Sequence, residues 1–168
     1  MKIVTINNKK DEKFLRQKTV PFNFYTYTKN EIEELVKNMR KTMIEANGIG
    51  LAANQIGLDF RVFVARVPET NGKMKFYAIF NPKLKRASGE TKKLSEGCLS
   101  VPEIYGEVER SLKVVLTGYN KHGKPLKIKA WGLLAHIFQH ETDHLNGTLF
   151  IDKAKKLYDL TAHEAAKN

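Results

Sequence analysis

The chain is 168 residues long, which is the size of one domain and enough to bury roughly 70% of the surface that the unfolded chain exposes. Its composition, 42% hydrophobic and 28% charged with a mean hydropathy of −0.42, excludes collagen, coiled coils and wholesale disorder. No apolar run approaches the ~18 residues of a membrane-spanning helix, and the first residues lack the apolar core of a secretory signal. A single cysteine, Cys98, cannot form an internal disulfide, so we expect a cytoplasmic protein without membrane contact.

Positive charge is the unusual bulk property of the sequence. The 29 lysines and arginines exceed the 18 aspartates and glutamates, which gives a formal net charge of +11 and a pI near 9.7. Such a surface attracts polyanions, of which RNA is the most abundant in a cell. The lysines are scattered, however, without a dense block or interleaved aromatic residues, a pattern typical of a solvated surface. We therefore expect no specific DNA binding, and the charge alone indicates no function.

The predicted elements begin with a helix that opens at Thr28 or Asn30, since Thr28 and Glu31 have the spacing of a capping box. Apolar residues then recur at helical spacing until Asn47 and Gly48 offer a C-cap. Apolar and alternating runs next predict strands at residues 61–67, 75–81, 94–101, 107–119 and 125–130.

A second helix is predicted at residues 132–146, and it has so little polar face that we expect it to be buried. Residues 153–168 are expected to form a short helix or a fraying tail. This order of elements indicates an α+β fold, with mixed or antiparallel sheets packed around the central buried helix. No linker or repeat divides the sequence, so residues 1–168 are expected to form a single domain.

The predicted buried helix carries two histidines and a glutamate, His140, His144 and Glu141. Histidines at positions i and i+4 lie about 6 Å apart along a helix axis on one face, so both rings can reach one metal ion. Glu141 stands beside that face, where its carboxylate can address a metal-bound water. Ionisable residues on an apolar helix are costly without a metal or a hydrogen-bond network. We therefore interpret the helix as part of a metal site.

A catalytic metal site also needs a third protein ligand, and two residues are candidates. Glu164 follows His144 by twenty residues, a spacing similar to that of glutamate-ligated zinc proteases, but it lies four residues from the end of the sequence. Cys98 lies in a predicted strand directly after Glu96 and Gly97. Glycine there allows close backbone approach, and an acid there needs a partner. The residues alone leave both candidates open.

Three segments together resemble the peptide deformylase family. They are GIGLAANQ at residues 48–55, EGCLS at residues 96–100 and QHETDHL at residues 139–145. The family is recognised by these three motifs in this order, and the similarity extends from about residue 14 to residue 152. Two positions depart from the family pattern: Thr142 replaces an apolar residue, and His136 replaces a residue that is more often apolar or arginine. Three motifs in register are far more specific than any one of them.

The resemblance implies a hydrolase that removes the N-formyl group from the initiator methionine of new polypeptides and releases formate. It implies one divalent cation held by Cys98, His140 and His144, with Fe²⁺ as the family's working metal and Zn²⁺, Ni²⁺ or Co²⁺ compatible with the same donors. It also implies attack by metal-bound hydroxide with Glu141 as general base and then acid. Further residues that it implies are the Gln55 amide and the Leu99 backbone N–H as donors to the oxyanion.

The expected partner is an N-formyl-methionyl nascent polypeptide, extended beside Gly50 and Gly97. The ribosome surface is a second expected partner, through the basic residues 153–156. Gln139 and Asp143 are expected to support the site, with Asp143 paired to Arg110. Seven residues are expected to bind the substrate, either as walls of the carbonyl region and methionine pocket or through contacts to the extended peptide. They are Gly48, Ile49, Gly50, Gly97, Leu133, His136 and Ile137.

Two rival hypotheses use the same residues differently. A metalloprotease that cleaves internal peptide bonds would take Glu164 as its third ligand and leave Cys98 unexplained. An RNA-binding protein with a structural metal would need a fourth protein ligand and would have no use for Glu141. Substitution of Cys98 separates the first rival from a deformylase, and substitution of Glu141 separates the second.

Overall fold

The computed structural model describes residues 1–87 and 89–159, and it has the α+β architecture expected from the sequence. Short 3₁₀ turns occur at Ala53–Ile56 and Phe150–Asp152. Within the described residues the α-helices are α1 (Lys9–Leu15), α2 (Lys29–Glu45) and α3 (Gly132–Leu145). The strands are β1 (Gly50–Ala52), β2 (Val62–Pro68), β3 (Met74–Arg86), β4 (Thr91–Cys98), β5 (Val101–Ser111), β6 (Lys113–Tyr119), β7 (Pro125–Trp131) and β8 (Leu157–Asp159).

The strands form two sheets in which neighbouring strands are antiparallel. The larger sheet has the strand order β1-β2-β3-β6-β7, and the smaller has the order β4-β5-β8. Strand β1 therefore lies at an edge of the larger sheet and β4 at an edge of the smaller. Both edges border the cleft described below, which is lined by Gly50 of β1 and by residues 94–98 of β4.

Helices α2 and α3 cover opposite faces of the larger sheet. Val62 and Val64 of β2 pack in one core cluster with Met39 and Met43 of α2. Phe63, which alternates with these valines, packs in a second cluster with α3, where its ring lies 5.6 Å from that of Phe138. A strand buried on both faces has no polar side, which explains the continuous apolar run at residues 62–65.

Helix α3 is the central buried helix that the sequence predicts. It contacts β1, β2, β3, β5, β6 and β7, and therefore both sheets. The last backbone carbonyls of a helix have no partner within the helix, and in α3 they accept hydrogen bonds from side chains of other segments. The Asn54 side chain donates to the His144 carbonyl at 2.7 Å, and Thr19 and Arg61 side chains each donate to the Leu145 carbonyl at 2.9 Å.

The predicted strand at residues 107–119 is wrong as a single element. The chain leaves the smaller sheet at Ser111 and enters the larger sheet at Lys113, so β5 and β6 belong to different sheets. At the break, the Leu112 N–H donates to the Glu90 carbonyl, and the Leu112 carbonyl accepts from the Gly132 N–H at 3.1 Å. Apolar alternation continues through this point, so a local pattern does not reveal the change of sheet.

The start of α2 is confirmed, because Thr28 is its N-cap and forms the predicted capping box with Glu31. Residues 157–159 form the strand β8 on β5 instead of the expected short helix or fraying tail, because the Glu107 backbone pairs with Lys155 and Lys156 at 3.1 Å. The rest of that segment, with Glu164, lies outside the described residues. None of the helices that the structure describes has the length and apolar character needed to cross a bilayer.

Candidate active site

Three potential metal ligands converge between β4 and α3. Cys98 ends β4, and its Sγ lies 3.1 Å from Nε2 of His144. His140 and His144 lie one turn apart on α3, with 3.2 Å between their Nε2 atoms. Ligand atoms of the three residues all lie within 4.8 Å of one another, which is the arrangement expected around a single ion.

A buried carboxylate fixes the ring of His140. Nδ1 of His140 lies 2.8 Å from Glu96 Oε2, which leaves Nε2 directed at the other two donors. Glu96 also accepts hydrogen bonds from Arg110 at 2.6 and 2.9 Å and lies 3.0 Å from His136 Nε2. Burial by itself would raise the pKa of Glu96, but these hydrogen bonds outweigh it and hold that pKa well below its usual range. Glu96 therefore keeps its negative charge beside the donor set.

The protonation chemistry of the donors fits a divalent cation. Burial, and secondarily the nearby His140, lower the pKa of His144 well below its usual value, so its ring is in the neutral form that ligates metals. Burial raises the pKa of the Cys98 thiol to about 12. A cation would reverse that shift, because a thiolate next to a positive ion is stabilised. One sulfur and two imidazole nitrogens suit Fe²⁺, Zn²⁺, Ni²⁺ and Co²⁺ alike.

Glu141 is buried beside the donors. Its Oε2 makes no hydrogen bond to any described residue. Burial first, and the charge of Glu96 second, raise the pKa of Glu141 well above its ordinary value. A Cβ on Gly50 would collide with the Glu141 carboxylate, so glycine at this position makes room for the acid. A buried carboxyl with a raised pKa and no partner is suited to proton transfer.

The amide of Gln55 is oriented by the backbone. Its Oε1 accepts from the Ala52 N–H at 2.9 Å, and this directs Nε2 to Cys98 Sγ at 3.4 Å and to Ser100 Oγ at 3.1 Å. The 3₁₀ turn at Ala53–Ile56 supplies this geometry. Leu99 follows Cys98 directly and lines the same cleft.

A cleft of about 640 Å³ opens in front of the donors. Ile49 and Leu133 expose 44% and 46% of their surface, so its walls are apolar and accessible. Gly97 lies against the ring of Tyr105, where a Cβ would come within 2.7 Å of the aromatic carbon. All seven residues that the sequence assigns to substrate binding line this cleft: Gly48, Ile49, Gly50, Gly97, Leu133, His136 and Ile137.

Asp143 and Gln139, which the sequence predicts to support the site, both form ion pairs or hydrogen bonds with residues outside α3. Asp143 pairs with Arg110, as predicted, and Lys153 Nζ also reaches Asp143 at 2.6 Å. Gln139 accepts from the Ser111 N–H at 3.0 Å and donates to the Ser111 carbonyl at 2.9 Å. These bonds tie α3 to the end of β5.

Comparison with known proteins gives the family. The family model described as polypeptide deformylase matches residues 1–159. The peptide deformylase of Carboxydothermus hydrogenoformans is 48% identical over 126 residues, which are 75% of this chain and 79% of that relative. The chain belongs to the peptide deformylase family. It is therefore a hydrolase of protein biosynthesis that removes the N-formyl group from nascent peptides.

Peptide deformylases of known structure share its fold. The crystal structure of a probable peptide deformylase from Synechococcus phage S-SSM7 has a TM-score of 0.81 at 40% identity and covers 91% of this chain and 99% of that chain. The Met-Ala-Ser-bound class I type b peptide deformylase from Acinetobacter baumannii has a TM-score of 0.82 at 30% identity, covering 91% of this chain and 97% of that one.

Sequence reasoning missed two residues at the rim of the deformylase cleft. Tyr105 lines the cleft and is 42% exposed, and Glu103 lines it with a φ of 66°, unusual for a residue other than glycine. Neither belongs to a recognised motif. Only the antiparallel pairing of β4 with β5, which places Tyr105 opposite Gly97, brings them to the site.

Proposed function

We propose that this deformylase is metal-dependent and holds one divalent cation, Fe²⁺ in the cell, through Cys98, His140 and His144. The convergence of these donor atoms within 4.8 Å carries the proposal. When bound, the cation acts as a Lewis acid that acidifies water and polarises the formyl carbonyl. Zn²⁺, Ni²⁺ or Co²⁺ suits the same donors in a purified sample.

Glu141 is proposed as the proton carrier of the reaction. It takes a proton from the attacking water and then delivers that proton to the departing amine, so it acts first as base and then as acid. Its raised pKa and its buried, unpartnered Oε2 support this role, because no described residue competes for the proton.

Gln55 and Leu99 are proposed to stabilise the oxyanion that forms at the formyl carbon. The side-chain N–H₂ of Gln55 is directed towards the Cys98 sulfur at 3.4 Å, and the Leu99 backbone N–H follows Cys98 in the chain. Removal of one donor of this kind typically costs ~3–4 kcal/mol of transition-state stabilisation.

The formyl-methionyl chain is proposed to lie extended in the cleft. Strands β1 and β4 each have one edge without a strand neighbour among the described residues, so a peptide beside Gly50 and Gly97 can pair with backbone groups there. Gly48 and Ile49 continue this wall, and the methionine side chain meets Leu133, His136 and Ile137. Selectivity for formyl over acetyl is steric, because the Glu141 carboxylate fills the space beside Gly50.

Residues 1–168 are proposed to act as one catalytic domain in the cytoplasm, on chains emerging from the ribosome. Lys153, Lys155 and Lys156 are proposed to contact the ribosome surface. In the structure Lys153 and Lys155 pair with Asp143 and Glu109, and Lys156 lies over the Tyr158 ring. Salt-sensitive cosedimentation with ribosomes, weakened when the three lysines become glutamine, is the expected result; association that is undetectable or insensitive to salt contradicts it.

Anaerobic purification with metal analysis, followed by formate release from formyl-Met-Ala-Ser, tests the central proposal. We expect about one equivalent of metal per chain, and much slower hydrolysis of the acetyl counterpart. Cys98→Ser should lose the metal, because the thiolate is one of three ligands. Tyr105→Phe, at the cleft rim, should retain it. Full metal content in Cys98→Ser, or equal hydrolysis of both peptides, contradicts the proposal.

A further inference from the structure

A second cavity, of about 420 Å³, lies against another face of α3. The helix lines it with Gln139, Thr142, Asp143 and Asn146, none of which lines the active-site cleft. Asp143 is the one carboxylate among the described lining residues. Five cationic side chains also line the cavity: Arg61, Lys83, Arg86, Arg110 and Lys153.

Two of these cations are neutralised within the protein. Arg110 pairs with Glu96 and Asp143, and Lys153 pairs with Asp143. The other three, Arg61, Lys83 and Arg86, have no carboxylate at ion-pair distance in residues 1–87 and 89–159. Three uncompensated positive charges therefore surround one concave site.

Arg61 is held in place at the wall of this cavity. Its Nη1 donates to the Leu145 carbonyl at 2.9 Å, which fixes the plane of the guanidinium and leaves its other N–H groups available. Burial lowers the pKa of Arg61, although an arginine remains charged. A partly desolvated cation attracts an anion more strongly than a cation in bulk water does.

We propose that this cavity binds a phosphate group, either free or in the backbone of RNA. Inorganic phosphate carries between one and two negative charges near neutral pH, and an RNA backbone carries one at every phosphodiester, so either anion can compensate these cations. Its oxygens accept paired N–H donors from a fixed guanidinium such as that of Arg61, while Lys83 adds a mobile point charge. Lys83 and Arg86 have no part in the proposed deformylation reaction, so binding at this cavity can be tested separately from that reaction.

Calorimetric titration of the full-length, metal-loaded enzyme with inorganic phosphate, against chloride at equal ionic strength, tests the proposal. The double variant Lys83→Gln/Arg86→Gln should bind phosphate at least about tenfold more weakly, since the loss of even one contact to a charged oxygen is worth that order. Lys127→Gln/Lys129→Gln on β7 removes the same charge at exposed positions outside the cavity and should stay within about twofold of the parent.

Further arms identify the source of the phosphate and control for folding. Hexauridylate is titrated alongside: loss of affinity in Lys83→Gln/Arg86→Gln for the oligonucleotide alone assigns an RNA backbone, and loss for inorganic phosphate assigns free phosphate. Formate release should be equal in all variants. If both double variants lose affinity equally, or neither ligand shows a selective loss, the proposal is overturned.

Discussion

Two buried carboxylates in one cleft have opposite surroundings. Glu96 is surrounded by donors from Arg110, His136 and His140, and these hold its pKa low. Glu141 lies against Gly50 with one oxygen unpartnered among the described residues, and burial raises its pKa. The same side chain is thus a fixed charge in one place and, in the proposed mechanism, a proton carrier in the other, because the neighbours differ.

The difference follows from which elements meet at each glutamate. Glu96 lies on β4, next to the strand that supplies Arg110, and faces the turn of α3 that carries His136 and His140. Glu141 lies on α3 itself and faces the backbone of β1, where glycine provides space but no charge. Arg110 forms an ion pair with the first glutamate, whereas no cation of the described residues lies at ion-pair distance from the second.

Removal of the Glu141 carboxylate gives the largest expected effect on activity. Glu141→Gln should lower kcat by about 10²–10⁴, since a positioned acid–base group contributes that much. Metal content should be unchanged, because Glu141 is not among the converging ligands. Formate release and metal analysis measure the two quantities. Glu103→Gln, at the rim of the same cleft, is the control, and comparable rates for both variants would contradict the role of Glu141.

Removal of the fixed carboxylate should instead lower stability and metal affinity. Glu96→Gln leaves buried Arg110 without its main partner, and breaking a buried pair in this way costs about 3–5 kcal/mol. It also frees the His140 ring, and loss of such an orienting bond lowers metal affinity about 10–100-fold. Denaturant unfolding measures the change in stability, and chelator competition measures the change in metal affinity. Glu107→Gln, at an exposed position, is the control. A free energy of unfolding and a metal affinity equal to those of the wild type in Glu96→Gln would contradict the structural role of this carboxylate.

His136 gives the smallest expected effect. His136→Ile removes one of the donors to Glu96, and loss of a hydrogen bond to a charged group lowers the free energy of unfolding by about 1.5–3 kcal/mol. His136→Gln retains an N–H donor and should recover part of that loss. Urea titration of both variants compares them. If isoleucine is tolerated as well as glutamine, His136 acts only as a wall of the cleft.

The parts of the site that the sequence predicts are local. His140, Glu141 and His144 follow from helical spacing in a single helix, and the resemblance of three motifs adds Cys98 and Gln55. The environment of these residues is not local. Arg110 reaches Glu96 from fourteen residues away through the pairing of β4 with β5, and no periodicity in either segment encodes that contact.

Errors in the predicted fold have the same origin. Residues 107–119 alternate as one strand, yet they change sheets at Leu112 because of bonds to Glu90 and Gly132, which are distant in the sequence. Strand β8 has three residues and depends on β5, about fifty residues away, so it has no pattern of its own. The short helix α1 was missed because seven residues give too few turns for a periodic signal.

The anchored last turn of α3 has a consequence for hydrogen exchange. Helix ends ordinarily fray, and their amides exchange through brief local openings. Here Thr19, Asn54 and Arg61, from three separate segments, hold the carbonyls of His144 and Leu145. Opening this turn breaks contacts across the molecule, so amides near His144 should exchange only when the whole protein unfolds, at rates set by global stability.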